Sequence, residues 1–139
     1  MKQALHTLLV PTRGKSLVPI TRPVLDWVAA QEIGTGLLTL WCRHTSASLT
    51  VQENADPAVR RDILAFFEQI APEGGDYEHA EEGPDDMPAH LRAMLTNVQL
   101  TIPVERGRPV LGTWQGIYLF EHRSAATQRE VVLHLLGQA

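Results

Sequence analysis

Hydrophobic residues occur along the chain in short clusters and alternating runs that predict six strands and three helices. The predicted strands cover residues 3–10, 37–43, 46–52, 98–104, 110–122 and 129–136, where apolar runs of strand length are bounded by glycine, proline or polar residues. Strands and helices mix without a regular βαβ repeat. The pattern therefore favours a single α+β domain over residues 1–139.

Helix boundaries are predicted from residues that cap or interrupt helices. Thr21 is the predicted N-cap of the first helix, which ends by Gly34. Asp56 followed by Pro57 is a strong start for the second helix, which stops near Pro72. The third helix is predicted over residues 88–95.

The segment from Pro72 to Pro88, between the last two helices, is the longest predicted loop; we call it the acidic loop, because its charge differs from that of the rest of the chain. No lysine or arginine lies between Arg61 and Arg92, whereas that interval holds nine acidic residues. Residues 92–139 carry five arginines against three acidic residues. Loops of this length in a compact domain are more often functional than incidental. The acidic segment between Arg61 and Arg92 is therefore suited to binding cations, and the segment over residues 92–139 is suited to binding anions.

Composition excludes several classes of protein. Of the 139 residues, 44% are hydrophobic and 20% are charged, which is ordinary for a globular domain and excludes intrinsic disorder. The longest apolar stretches are too short to predict a membrane span, and no signal peptide is visible. A net charge of −4 argues against nucleic acid as a partner. The single cysteine, Cys42, favours a cytoplasmic setting.

Three groups of polar residues could carry chemistry. His44 and Ser46 lie two positions apart at a predicted strand end and so share a face; they could act as base and nucleophile, as metal ligand and neighbour, or simply as a strand end. His79 lies in the acidic loop and His90 in the helix that follows it; with His44, they could converge as three imidazole ligands of zinc or a similar divalent ion. Dispersed histidines are, however, more often unrelated.

The remaining candidates combine acids and arginines. Asp86 precedes the third predicted helix, where the helix dipole alone would favour a carboxylate. Glu121 and Arg123 alternate along a predicted strand, and Arg123 with Arg129 flanks a loop that could bind a phosphate or a carboxylate. The alternative is an ordinary surface ion pair. Glu53 and Glu121 are the available general bases.

Segments spread over nearly the whole chain resemble the YjbQ family, which is known as a secondary thiamine-phosphate synthase family. They read HTSASLT at 44–50, ENADP at 53–57, GPDDMPAH at 83–90, GTWQGIY at 112–118 and EHR at 121–123. The resemblance implies an α+β fold with mixed antiparallel sheets and two to three helices, assembled as a homotrimer. It also implies a site at the subunit boundary, where histidines gather around a metal ion or an anion.

Carried over by position, the resemblance assigns His44, His79 and His90 to a divalent metal, zinc or magnesium. It assigns Ser46, Asp86 and Arg123 to substrate binding. The implied reaction joins a pyrimidine diphosphate to a thiazole phosphate and releases pyrophosphate. The alternatives are a metal-dependent hydrolase of a phosphorylated small molecule and a non-catalytic trimer that binds an anion or a metal. The loop at 124–128 is less basic than is usual in the family, which weakens the expected phosphate contact.

Overall fold

Eight strands and three helices make up the chain in this computed structural model, which describes residues 1–139. The strands are β1 (Lys2–Arg13), β2 (Ser16–Pro19), β3 (Thr35–Cys42), β4 (Ala47–Glu53), β5 (Gln99–Glu105), β6 (Arg108–Pro109), β7 (Gln115–Glu121) and β8 (Ala126–Gln138). The helices are α1 (Thr21–Ala30), α2 (Pro57–Ile70) and α3 (Asp86–Leu95). The α+β class predicted from the sequence is confirmed.

The strands form two antiparallel sheets. The larger sheet has the order β1-β8-β3-β5-β6, and the smaller one has the order β2-β7-β4. The long pairing of β1 with β8 runs from Lys2 opposite Gly137 to Arg13 opposite Ala126, so the two ends of the chain lie side by side. The smaller sheet places β7 between β2 and β4, which makes the end of β7 a central position.

Alternation along β7 explains how the layers stack. Ile117 and Leu119 point into a core that they share with buried residues of the larger sheet and of α1. Tyr118 and Phe120 point to the opposite side and pack with Phe67 of α2. The two sheets therefore enclose the main core, and α2 covers the outer side of the smaller sheet.

The outer side of the larger sheet carries apolar residues that nothing covers within one chain. The exposed large residues on this face are Leu5, Leu9, Leu37, Trp41 and Leu136. Leu37 and Leu136 lie directly opposite each other on neighbouring strands, and Trp41 lies opposite Val132. Large contiguous apolar patches of this kind mark interaction surfaces on soluble proteins.

Close approach of β3 to β8 depends on one pair of glycines. Gly36 lies directly opposite Gly137. A Cβ atom added to Gly36 would fall on the carbonyl oxygen of Leu136, and one added to Gly137 would fall on that of Thr35. Backbone atoms block both positions, so glycine is required at each.

The structure corrects several predicted boundaries. Thr21 does not cap α1, because its hydroxyl accepts a hydrogen bond from the Ile117 N–H at 2.8 Å and Ile20 occupies the cap position. The third helix begins at Asp86 rather than at Pro88, since a proline is tolerated in the first turn, where N–H groups lack helical partners. The strand predicted over 110–122 is confined to β7. Asp56 caps α2 as predicted, accepting from the Ala58 N–H.

Two further expectations concern the setting of the chain. None of the helices is long and apolar enough to cross a membrane. Cys42 is buried and free, and burial raises the pKa of its thiol. The cytoplasmic setting stays a prediction.

Candidate metal and anion site at the end of the smaller sheet

Three segments, namely α3, the acidic loop and the end of β7, meet next to the start of β4. Asp86 is the first residue of α3, and His90 follows one helical turn later on the same face. His79 comes from the acidic loop, and Arg123 lies just after β7. The sequence therefore brings together residues from a helix, a loop and a strand end.

Two imidazole rings converge on one carboxylate oxygen. Nε2 of His79 lies 2.6 Å from Oδ2 of Asp86, and Nε2 of His90 lies 3.1 Å from the same oxygen. The possible ligand atoms of these three residues all lie within 4.8 Å of one another. Asp86 is only 2% exposed, whereas the two histidines reach solvent. The cluster is thus anchored at its base and open on one side.

The protons of His90 restrict what this cluster can hold. Nδ1 of His90 lies 2.9 Å from the carbonyl oxygen of Thr45, which can only accept, so Nδ1 carries a proton. In a neutral ring, Nε2 then presents a lone pair to a carboxylate oxygen, which is also an acceptor. A neutral His90 therefore makes no hydrogen bond to Asp86 through Nε2, whereas a cation between the two atoms would bind both lone pairs.

Arg123 holds both aspartates at the start of α3. Its Nε donates to Asp85 at 2.9 Å, its Nη1 donates to Oδ1 of Asp86 at 2.6 Å, and its Nη2 donates to the Glu82 carbonyl at 2.9 Å. Burial alone would raise the pKa of Asp86, but the His79 hydrogen bond and the Arg123 charge outweigh it and hold that pKa below its usual range. Burial would also raise the pKa of Asp85, but its hydrogen bonds from Arg123 and from the Ser124 N–H lower it, so both aspartates are ionised.

A second arginine lies beneath a small open pocket next to Arg123. Arg129, only 7% exposed, donates through Nε and Nη2 to the buried carboxylate of Glu121 and through Nη2 to Oγ of Ser46. Thr12 also donates to Glu121. Burial would raise the pKa of Glu121, yet the Arg129 and Thr12 hydrogen bonds lower it. Glu121 is therefore a fixed anion that orients Arg129.

The pocket itself has a volume of about 200 Å³ and is lined by Ser46, Arg123, Ala125, Ala126, Thr127 and Arg129. Nη1 of Arg129 has no hydrogen-bond partner in the chain and is not enclosed by protein. Two guanidinium groups and two hydroxyl side chains thus line a space in which alanine side chains leave room. This is a suitable environment for an anionic oxygen group.

Two of the predicted site residues lie apart from this cluster. Nε2 of His44 accepts a hydrogen bond from the Glu130 N–H at 2.8 Å, which uses the lone pair that a metal would need. The Glu53 carboxylate accepts from the backbone N–H groups of Ala55 and Asp56 in the turn before α2. The roles predicted for His44 and Glu53 stay predictions that one chain does not support by itself.

Sequence reasoning did not assign site roles to Asp85 or to the backbone of Thr45. The neighbouring aspartates in the sequence were a signal for Asp85. A backbone carbonyl has no signature in the sequence, so the Thr45 contact becomes visible only in the fold. The buried hydrogen bond of 2.8 Å between Ser48 and His122 likewise becomes visible only in the fold. His122 is the residue directly before Arg123 in the sequence.

Comparisons with known proteins agree on one family. A family model described as "UPF0047 protein YjbQ-like" matches residues 6–138. A UPF0047 protein of Synechocystis sp. is 48% identical over 138 residues, covering 99% of this chain and 94% of that protein. The UPF0047 protein YjbQ of Escherichia coli O157:H7 is 44% identical over 133 residues, covering 95% of each.

Solved structures share the fold. A conserved hypothetical protein of Thermus thermophilus superposes with a TM-score of 0.85 at 39% identity, covering 94% of this chain and 99% of that one. An uncharacterised YjbQ/UPF0047 protein of Clostridium acetobutylicum gives a TM-score of 0.84 at 34% identity, covering 96% and 99%. The arrangement of strands and helices described above is therefore shared with these relatives.

Proposed function

This chain belongs to the YjbQ-like UPF0047 family, and on that premise we propose that it is a divalent-metal-dependent enzyme acting on a phosphorylated small molecule. One observation carries the proposal: Nε2 atoms of two histidines approach the same oxygen of Asp86 while Nδ1 of His90 is committed to a carbonyl. A histidine whose second nitrogen donates to a backbone carbonyl is oriented as metal ligands usually are.

His79, His90 and Asp86 would hold the ion. Imidazole nitrogens and a carboxylate oxygen are a ligand set typical of zinc sites that keep a position open for a reactant. A bound divalent ion would supply positive charge to a phosphate or diphosphate leaving group. Arg123 fixes the far oxygen of Asp86, which leaves Oδ2 directed at the imidazoles.

Arg129 and Ser46 would bind the anionic part of the substrate. Arg129 is held by Glu121 on one side and has a free Nη1 on the other, so a phosphate would meet a donor that is already oriented. Both oxygens of Glu121 are engaged, which supports a positioning role rather than that of a general base. Arg123 lines the same pocket, and each of its Nη atoms carries a second N–H beyond the bonds to Asp86 and to the Glu82 carbonyl.

The family resemblance implies a transfer reaction that joins a pyrimidine diphosphate to a thiazole phosphate and releases pyrophosphate. This reaction should be tested first. A hydrolase is the second candidate. The volume of the anion pocket, about 200 Å³, favours it, because a hydrolase has to hold only one phosphorylated compound at a time. Both reactions would use the same proposed metal site and the same arginines.

We also propose a homotrimer built on the outer face of the larger sheet. This face exposes Leu37, Trp41 and Leu136, and nothing within one chain covers them. Trp41 and His44 line a common open pocket at the edge of the face, so a neighbouring subunit seated there would also contact His44. That contact would connect His44 to the subunit boundary.

The deciding experiment combines metal analysis with an activity assay. Purified protein is dialysed against chelator, reloaded with zinc or magnesium, and incubated with both thiamine precursors or with single phosphorylated compounds. We expect metal-dependent formation of thiamine phosphate, or metal-dependent phosphate release from one compound alone. Titration calorimetry that detects neither zinc nor magnesium binding at micromolar protein would refute the metal centre.

A further inference from the structure

The largest cavity lies away from the metal cluster, between α2 and the smaller sheet. It is an open cleft of about 400 Å³, within the size range of small-molecule sites. Its lining consists of Thr50, Gln52, Val59, Asp62, Ile63, Phe66, Phe67, Thr96 and Phe120. Thr50 and Gln52 lie four and six residues beyond Ser46, which corresponds to roughly 13–20 Å along the strand. The cleft is therefore a separate feature from the anion pocket.

Aromatic rings form one side of this cleft. Phe67 meets Phe120 edge to face at 5.3 Å between ring centroids, and Phe66 meets Phe67 in the same way at 5.4 Å. Phe66 remains 53% exposed. The rings of Phe120, Phe67 and Phe66 thus contact one another in sequence, and the exposed ring of Phe66 can stack against a planar ligand.

Polar groups with unused capacity face the same space. Asp62 makes no hydrogen bond and no ion pair, and the Thr50 hydroxyl makes no hydrogen bond. The side-chain amide nitrogen of Gln52 is also free, since only its oxygen accepts, from the Glu53 N–H. An apolar cleft with a few converging unpaired polar groups is the usual form of a ligand site.

The charge of the cleft indicates which ligands it can bind. Asp62 is the only charged residue in the lining, so the cleft favours a positive group and disfavours an anion. The neighbouring part of this sheet face already accommodates such a contact, because the Arg60 guanidinium lies 5.8 Å from the ring centroid of Tyr118. We propose that the cleft binds a planar aromatic group bearing a cationic nitrogen substituent, with the ring against Phe66 and the cation on Asp62. This proposal does not rest on the metal-dependent activity.

Benzamidine is the probe, with benzamide and benzoate as neutral and anionic compounds of the same shape. Metal-free protein labelled with ¹⁵N is titrated with each compound while amide resonances of the cleft and of α3 are followed. We expect benzamidine to shift resonances of Ile63, Thr96 and Phe120, benzamide to bind more weakly, and benzoate to leave them unchanged. Asp62→Asn should weaken benzamidine binding about tenfold, which is the usual value of one charge-assisted hydrogen bond.

Two further variants make the result unambiguous. Phe66→Leu keeps an apolar wall but removes the ring, and it should weaken benzamidine about threefold or more, as loss of a stacking partner predicts. Asp76→Asn removes an aspartate outside the cleft and should change nothing. Absence of shifts at the cleft, equal binding of benzoate, or an unchanged affinity in Asp62→Asn would each overturn the proposal. Because no metal is present, these outcomes are independent of the proposed enzyme activity.

Discussion

Nη1 of Arg123 donates to Oδ1 of Asp86 at 2.6 Å, while the other oxygen of that carboxylate faces two imidazoles. The Asp86 side chain thus connects the acidic loop, the start of α3 and the segment after β7. Arg123 binds one oxygen of Asp86, and the other oxygen is left for the proposed metal ion. A substitution at either residue therefore tests both the structure and the proposed metal site.

Asp86→Asn should abolish tight zinc binding. The amide keeps the size of the side chain but removes the negative charge that both histidines face, so the loss should exceed the ~10–100-fold that an outer-shell partner contributes. Titration calorimetry with zinc measures it. Asp26→Asn on α1, where Asp26 is exposed and 3.9 Å from Arg22, is the matched control and should bind zinc normally. An unchanged zinc affinity in Asp86→Asn would remove Asp86 from the ligand set.

Arg123→Lys should weaken zinc binding by ~10-fold, because a lysine cannot serve Asp85, Asp86 and the Glu82 carbonyl at once. The same calorimetric titration measures this change, and inorganic phosphate is titrated in parallel. If zinc affinity is retained and only phosphate affinity falls, Arg123 acts on the substrate, as the sequence predicted, and its positioning role is wrong.

Leu37→Glu should separate the proposed trimer into single chains. The substitution places a charge at the centre of the outer face, beside Leu136, where desolvation of a carboxylate is costly. Light scattering measures the mass of the wild type and the variant. Met94→Glu is the control, since Met94 is 80% exposed on α3, and it should leave the mass unchanged. A wild type that has the mass of one chain across micromolar concentrations contradicts the trimer.

Stability should fall as the pH is lowered from 7 to 5, and His122 should account for part of the loss. Burial, assisted by the Arg92 charge, lowers the pKa of His122 to about 3. The other charges that act on it are Glu121 and Arg129, and its hydrogen-bond partner Ser48 is neutral. The unfolded chain takes up a proton near the ordinary value of about 6.5 and the folded chain does not, so stability is complete above that pH and falls below it.

His122→Asn removes this term while keeping a polar group near Ser48. Urea unfolding at pH 7 and pH 5 should show a loss about 2 kcal/mol larger for the wild type than for the variant, given ~1.4 kcal/mol per pH unit. His44, whose pKa burial also lowers, contributes equally to both proteins and cancels in the difference. Equal pH dependence in the two proteins would show that His122 is not the titrating group.

Glu121→Gln should destabilise the fold by ~3–5 kcal/mol, because it leaves the buried Arg129 guanidinium without its counter-charge. Chemical unfolding at pH 7 measures the effect. Glu73→Gln breaks the exposed pair with Lys15 and should cost less than ~1 kcal/mol. A similar small cost at Glu121 would mean that Arg129 finds another partner.

Sequence patterns predicted those elements whose signals are local. The aspartate–proline start of α2 depends on neighbouring residues alone, and the structure confirms it. The strand β2 was missed because four residues that end in proline give almost no periodic signal, and its pairing partner, β7, lies some hundred residues later. The segment before Gln115 was misassigned to a strand, although the Asn54 N–H binds the Trp114 carbonyl there and closes a loop.

In the candidate site, too, contacts between residues close in sequence could be predicted, whereas contacts between distant residues could not. His79, Asp86 and His90 lie close together because they belong to the acidic loop and the helix that follows it, although the sequence assigned the metal to His44, His79 and His90 and assigned Asp86 to the substrate. The partnership of Arg123 with Asp86 spans 37 positions, and that of Arg129 with Ser46 spans 83, so each depends on how the strands pair. No spacing rule predicts such contacts, since they follow from the register of β7 with β4 and of β8 with its neighbours.

Facing glycines on β3 and β8 have a genetic consequence. In a library that samples every amino acid at Gly36 and at Gly137, folded survivors should retain glycine at both positions. A second substitution across the pair should not rescue the first, because each added methyl group meets a main-chain carbonyl rather than a side chain that could be trimmed. The two positions should therefore each require glycine for folding, and no substitution at one should compensate for a substitution at the other.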